Sequence, residues 1–243
     1  MLVPLAIIFI AAPPIAQNAR YHAFADTRSF FGIPNFWNVA SNLPFLVIGI
    51  AGLRLCLRPE VQGARRSWIT FFAGTALVAC GSGYYHWMPV DASLAWDRLP
   101  MTIAFMALLS ALVSEHTDEA FERRLLPAAI AVGIASVVWW RYTGDLRFYA
   151  WVQFAPLLAI VYILARFPAR YTERRCLVYG LVWYAAAKVV EAADTHVFAT
   201  TSGMLGGHAL KHLLAALAPL SVYVMLARRS RCSDEKATQR LTL

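Results

Sequence analysis

The stretch Leu94-Ala-Trp-Asp-Arg-Leu-Pro-Met-Thr-Ile-Ala-Phe-Met-Ala-Leu-Leu-Ser-Ala-Leu-Val113 decides the fold class. A helix of about 20 residues spans about 30 Å, the thickness of a bilayer's hydrocarbon core. The only charges in this stretch are Asp97 and Arg98, side by side near one end. Six more blocks of this kind follow from the same reading, at 36–56, 68–88, 125–141, 149–166, 177–198 and 208–227. The expectation is an all-α polytopic membrane protein, a seven-transmembrane-helix bundle. Leu2–Ala16 is shorter and carries Pro13 and Pro14; lacking a basic lead-in and a small-x-small cleavage site, it reads as an extra short N-terminal helix that is retained. The expected division is an N-terminal hydrophobic segment at 1–20, the helical domain at 21–230 and a polar cytoplasmic tail at 231–243.

Composition supports this reading. Of 243 residues, 59% are hydrophobic and 15% charged, against roughly 45–50% and about 25% in soluble domains, and the mean hydropathy is +0.53. A soluble enzyme, a coiled coil and a disordered chain are excluded. The net charge of +8 does not point to nucleic acid, because the arginines sit at the ends of apolar blocks, as the positive-inside rule requires. Arg58, Arg65 and Arg66 follow the first block, Arg123 and Arg124 the third, and Arg170, Arg174 and Arg175 the fifth; Arg228, Arg229 and Arg231 open the tail. The segments 89–93 and 199–207 hold no Lys or Arg. The arginine-bearing loops and the C-terminus are therefore expected in the cytoplasm and the alternate loops on the periplasmic side, with a bacterial inner membrane as the setting. Cys56, Cys80, Cys176 and Cys232 are widely separated, which predicts neither a disulfide framework nor a thiol redox motif.

Ionisable groups inside spans are costly and mark functional sites. Ser82 and His86 lie one turn apart near the outer end of the second block, Asp97 near the outer start of the third, and His208 and His212 one turn apart at the outer start of the seventh. Three histidines, an aspartate and a serine thus share one depth. Three imidazoles with an open fourth position are what a catalytic zinc needs, although imidazole also suits copper, iron or nickel. In that arrangement Asp97 accepts a proton from activated water and Ser82 holds a developing oxyanion. Taken singly, Ser82 reads as a back-bonded helix serine and Asp97 as a helix N-cap. Lys188, Glu191 and Asp194 in the sixth block, with Lys211 beside His212, read either as local ion pairs or as groups that orient the metal-bound imidazoles. Trp139, Trp140, Trp151 and Trp183 read as interface or packing aromatics.

The segments Asn35-Phe-Trp-Asn-Val-Ala-Ser-Asn42, Gly81-Ser-Gly-Tyr-Tyr-His86, Trp96-Asp-Arg-Leu-Pro-Met101 and Gly207-His-Ala-Leu-Lys-His212 resemble the alkaline ceramidase family. The likeness is closest to its bacterial ceramidase-like branch, within a superfamily of seven-helix membrane hydrolases that includes the adiponectin receptors. The resemblance implies a zinc-dependent intramembrane hydrolase acting on the amide of an N-acylated sphingoid base, with ceramide or another N-acyl lipid as substrate. It places zinc on His86, His208 and His212, and Ser82 and Asp97 around the metal-bound water. Eukaryotic members hold calcium through acidic residues ahead of the first core helix. Here Asn35 replaces the last carboxylate and Tyr21–Pro34 offers only Asp26 as an acid, so no tight calcium site is expected and Asp26 is expected to pair with Arg28. Two rival readings remain: a bis-histidine haem protein, and a receptor-like lipid-binding protein whose zinc is structural.

Overall fold

The structure, a computed structural model, describes Phe9 and residues 11–232. Most of the expected N-terminal helix, at residues 1–8 and 10, and the tail beyond Cys232 lie outside the described residues. Within the described part, residues 13–18 are not helical, as Pro13-Pro14 demands.

Among the described residues the protein is all-α, without named strands. The helices are α1 (Phe36–Ala40), α2 (Leu43–Cys56), α3 (Arg65–Trp87), α4 (Asp91–His116), α5 (Glu122–Thr143), α6 (Arg147–Arg166), α7 (Arg175–Ala192), α8 (Asp194–Thr200) and α9 (Gly207–Arg228). They correspond in order to the seven apolar blocks. Five units are long and apolar enough to cross a membrane: α1–α2, α4, α5, α6 and α9. This is a polytopic membrane protein.

Two blocks differ from the simple reading. The sixth is broken: α7 and α8 meet at an angle of 82°. The second, α3, has the length but not the apolarity, because it carries Arg65 and Arg66 at one end and Ser82, Tyr85 and His86 near the other. It lies between α2 and α4 and pairs most extensively with α4. Protein, not lipid, covers its polar face.

Close approach of α3 and α4 depends on Gly81, where an added Cβ would fall 2.9 Å from the Trp96 carbonyl carbon. The opposite end of the bundle is closed by the largest apolar cluster, around Trp68, Phe72, Leu112 and Met225. There Glu115 accepts hydrogen bonds from Trp68 Nε1 at 2.7 Å and from Arg229 at 2.6 and 2.8 Å, tying α3, α4 and the end of α9 together. Helices α7 and α9 form a second close pair, docked on the rest chiefly through α2. Helix α6 packs on α4 and α5, and the cavity described below fills the space between α6 and α7.

Candidate metal centre and active-site cavity

His86 lies in the last turn of α3, and His208 and His212 occupy the first turns of α9. All three are buried, and one ligand nitrogen from each lies within 4.8 Å of the others. His86 Nε2 and His212 Nε2 are 3.2 Å apart. The edge of a tetrahedron with metal–nitrogen bonds of about 2.0–2.1 Å is about 3.3–3.4 Å, so this pair already has ligand spacing. His208 stands farther off, and Lys211 Nζ contacts its Nε2 at 3.0 Å. His86 Nδ1 is buried without a hydrogen-bond partner. The donor set, three imidazoles without a carboxylate among them, fits a borderline cation with a free coordination position. The rings touch one another edge to face, with centroids 4.8–5.1 Å apart, and Phe24 packs on His86 and His208. No flat space for a haem macrocycle separates them.

The histidines are held from outside the sequence motifs that contain them. His212 Nδ1 meets Ser41 Oγ at 2.8 Å, and Ser41 donates to the Asn38 carbonyl at 3.3 Å. With the proton on Nδ1, Ser41 accepts it and leaves the Nε2 lone pair facing His86. Asn42 Nδ2 donates to the same Asn38 carbonyl at 2.7 Å. Asn35, in the left-handed region at φ 47°, sends its side-chain amide to the His86 carbonyl at 2.9 Å. In the sequence these positions belong to the segment that carries the family resemblance. Their signal was present: Asn38, Ser41 and Asn42 fall at i, i+3 and i+4 in an apolar block and are all buried.

Asp97 is not a helix N-cap. Helix α4 begins at Asp91, so Asp97 lies well inside it, and its carboxylate and the Ser82 hydroxyl are neighbours on the wall of one cavity. Glu191 accepts from Lys188 and, at 3.0 Å, from Lys211. Asp194 accepts from the backbone N–H groups of His208 at 2.8 Å and Ala25 at 2.9 Å. The two acids of the sixth block therefore engage lysines and backbone, and the imidazoles find Ser41 and Lys211 instead. Asp194 also explains the broken helix. By binding the start of α9 it turns the chain away at Ala193, and Gly207 admits the approach, since a Cβ there would sit 2.7 Å from Asp194 Cα.

The N-terminal segment straps this end of the bundle. Asp26 is buried and receives Arg28 through contacts of 2.6 and 2.8 Å. Burial works to raise the Asp26 pKa, but the Arg28 hydrogen bonds outweigh it and hold the carboxyl below its ordinary value. Below the polar cluster a cavity of about 330 Å³ runs between α4, α6, α7 and α9. Ser82, Asp97 and His212 line its upper end, and its lower reach, lined by Leu108, Leu177, Leu181 and Val222, is apolar.

An all-α membrane bundle with a three-histidine cluster at the polar end of an apolar cavity defines the class. The family model described as ceramidase matches residues 31–243, a range that includes Asn35, Ser41 and all three histidines. The chain belongs to the ceramidase family. A search of curated proteins gives no match.

Proposed function

We propose that this protein is a zinc-dependent intramembrane lipid amide hydrolase, cleaving the N-acyl bond of ceramide-like lipids to a fatty acid and a sphingoid base. One observation carries the reading: three buried imidazoles converge beside the Ser82–Asp97 pair, at the head of an apolar cavity, in a ceramidase-family chain. His86, His208 and His212 are the metal ligands. When bound, zinc supplies Lewis-acid polarisation of a carbonyl and lowers the pKa of water.

The chain's own residues do the rest. Ser41 fixes the His212 tautomer. Lys211 is paired with Glu191, so it can give up its contact with His208 without losing its counter-ion. Asp97 takes the proton from the attacking water and passes it to the amide nitrogen as the carbon–nitrogen bond breaks. Ser82 turns its hydroxyl from Asp97 to the oxyanion of the tetrahedral carbon. The acyl chain lies in the apolar part of the cavity, whose wall along α7 from Glu191 to Leu177 is about 20 Å long. The arginine pattern supports a catalytic domain over 21–230 in a bacterial inner membrane, with the histidines toward the periplasm and the C-terminus in the cytoplasm.

The test is fatty-acid release from N-acylsphingosine by purified, zinc-loaded protein and by Asp97→Asn. The expected result is turnover by the wild type and a loss of about 10²–10⁴ in Asp97→Asn with metal retained. A fully active Asp97→Asn removes the role assigned to Asp97. Stoichiometric zinc and bound lipid without any product favours the receptor-like reading.

A further inference from the structure

The side chains of Arg98, Arg147 and Arg229 are withdrawn from solvent, and two of these face carboxylates: Arg147 meets Asp145 at 2.7 Å and Arg229 meets Glu115 at 2.6 Å. Arg98 does not. It is 5% exposed, lies on α4 directly after Asp97, and lines the same cavity as Asp97 and His212. No ion pair joins it to any acid among the described residues. Its guanidinium carbon lies 4.0 Å from the Trp140 ring centroid and 4.7 Å from that of Tyr149. Its Nη2 donates to a neutral amide, Gln17 Oε1, at 2.5 Å, and its Nη1 is buried with no partner.

An arginine keeps its charge at any ordinary pH, and its fork of donors matches two oxygens of one anion. Aromatic faces compensate part of the charge, but an unmatched buried N–H remains costly. Here one prong of the fork holds a neutral amide oxygen from the N-terminal strap and the other holds nothing. The cavity as a whole is short of negative charge: Arg98, Lys188 and Lys211 line it against Asp97 and Glu191.

We infer that Arg98 is the headgroup-binding residue of this cavity, and that the preferred lipid amide carries an anionic oxygen group, such as a carboxylate or phosphate, close to the amide. The inference rests on the hydrolase reading for its substrate and narrows that substrate's class. The anion displaces the Gln17 amide from Nη2 and satisfies Nη1, while the acyl chain occupies the apolar reach. The same chemistry could come from the carboxylate of the released fatty acid, and the test separates the two.

Equilibrium binding is measured on the full, detergent-purified chain by tryptophan fluorescence, with N-palmitoylglycine, N-palmitoylethanolamine and palmitate as probes. The wild type is expected to bind N-palmitoylglycine about tenfold or more tightly than the neutral ethanolamide. Arg98→Gln should abolish that preference and Arg98→Lys should retain part of it. Gln17→Ala, which leaves the fork intact, should tighten the anionic ligand alone. Equal affinities for the charged and neutral amides overturn the inference, as does a preference that survives in Arg98→Gln. An Arg98-dependent preference for palmitate without one for N-palmitoylglycine also overturns it, because the anion is then the product. If Arg98→Gln does not fold, the Arg98→Lys and Gln17→Ala comparisons decide. Fatty-acid release is scored separately. Preferential binding without fatty-acid release from any of these amides or from N-acylsphingosine by the zinc-loaded protein rejects the hydrolase and keeps the subsite; equal turnover of charged and neutral amides, independent of Arg98, rejects the subsite and keeps the hydrolase.

Discussion

His212 is held at both ring nitrogens: Nε2 faces His86 at 3.2 Å and Nδ1 is fixed by Ser41 at 2.8 Å. A ligand whose far nitrogen is anchored keeps one tautomer and one orientation, and losing such an anchor typically costs about 10–100-fold in metal affinity. Ser41→Ala is therefore expected to weaken zinc by that factor in competition with a chelator, while the helical circular-dichroism signal stays at the wild-type level. Asp26 makes a second prediction at this scale. Its folded pKa lies below the ordinary value, so its contribution to stability is full above pH about 4 and disappears as the pH falls through the lowered value. Asp26→Asn should melt below the wild type at pH 7, and the gap should close in acid. The histidines were legible in the sequence because a charged or polar group in an apolar block stands out. Ser41 and Arg98 were not singled out, because their meaning lies in what they touch: an imidazole 171 positions away for Ser41, and an aromatic box with no acid for Arg98.

At the scale of helices, the apolar blocks at 36–56, 94–113, 125–141, 149–166 and 208–227 became helices crossing the bundle, because each must satisfy its backbone internally wherever lipid surrounds it. The break at Ala193 could not be read the same way. It comes from the Asp194 carboxylate reaching the backbone of His208 and Ala25, contacts that no local periodicity encodes. Helix α4 begins three residues ahead of its apolar block for a related reason. Asp91 and Ser93 look like loop residues, yet Ser93 bonds back to the Met88 and Val90 carbonyls and opens the helix. The α7–α9 junction carries its own prediction. Gly207→Ala places a methyl against the Val190 carbonyl and Asp194 and should destabilise by about 1–3 kcal/mol, read as a lowered melting temperature. Because His208 is the next residue, zinc affinity should fall with it.

For the whole molecule, the two ends of the bundle have different tasks. Trp68, Glu115 and Arg229 lock one end, while the other holds buried polar groups around the histidines and is covered by the N-terminal strap. The cavity between them joins polar chemistry to an apolar channel, which gives a prediction about substrate length. Val222 lines its lower reach, so Val222→Trp should shift the preference toward shorter acyl chains in a chain-length series while leaving zinc content unchanged. The claim on which all of this depends is that His86, His208 and His212 hold one metal ion. Elemental analysis of the purified protein, wild type beside a His208→Ala/His212→Ala double variant, tests it directly. About one zinc per chain is expected in the wild type and none in the variant; no metal in the wild type, or zinc retained after both histidines are gone, would contradict a three-histidine metal centre.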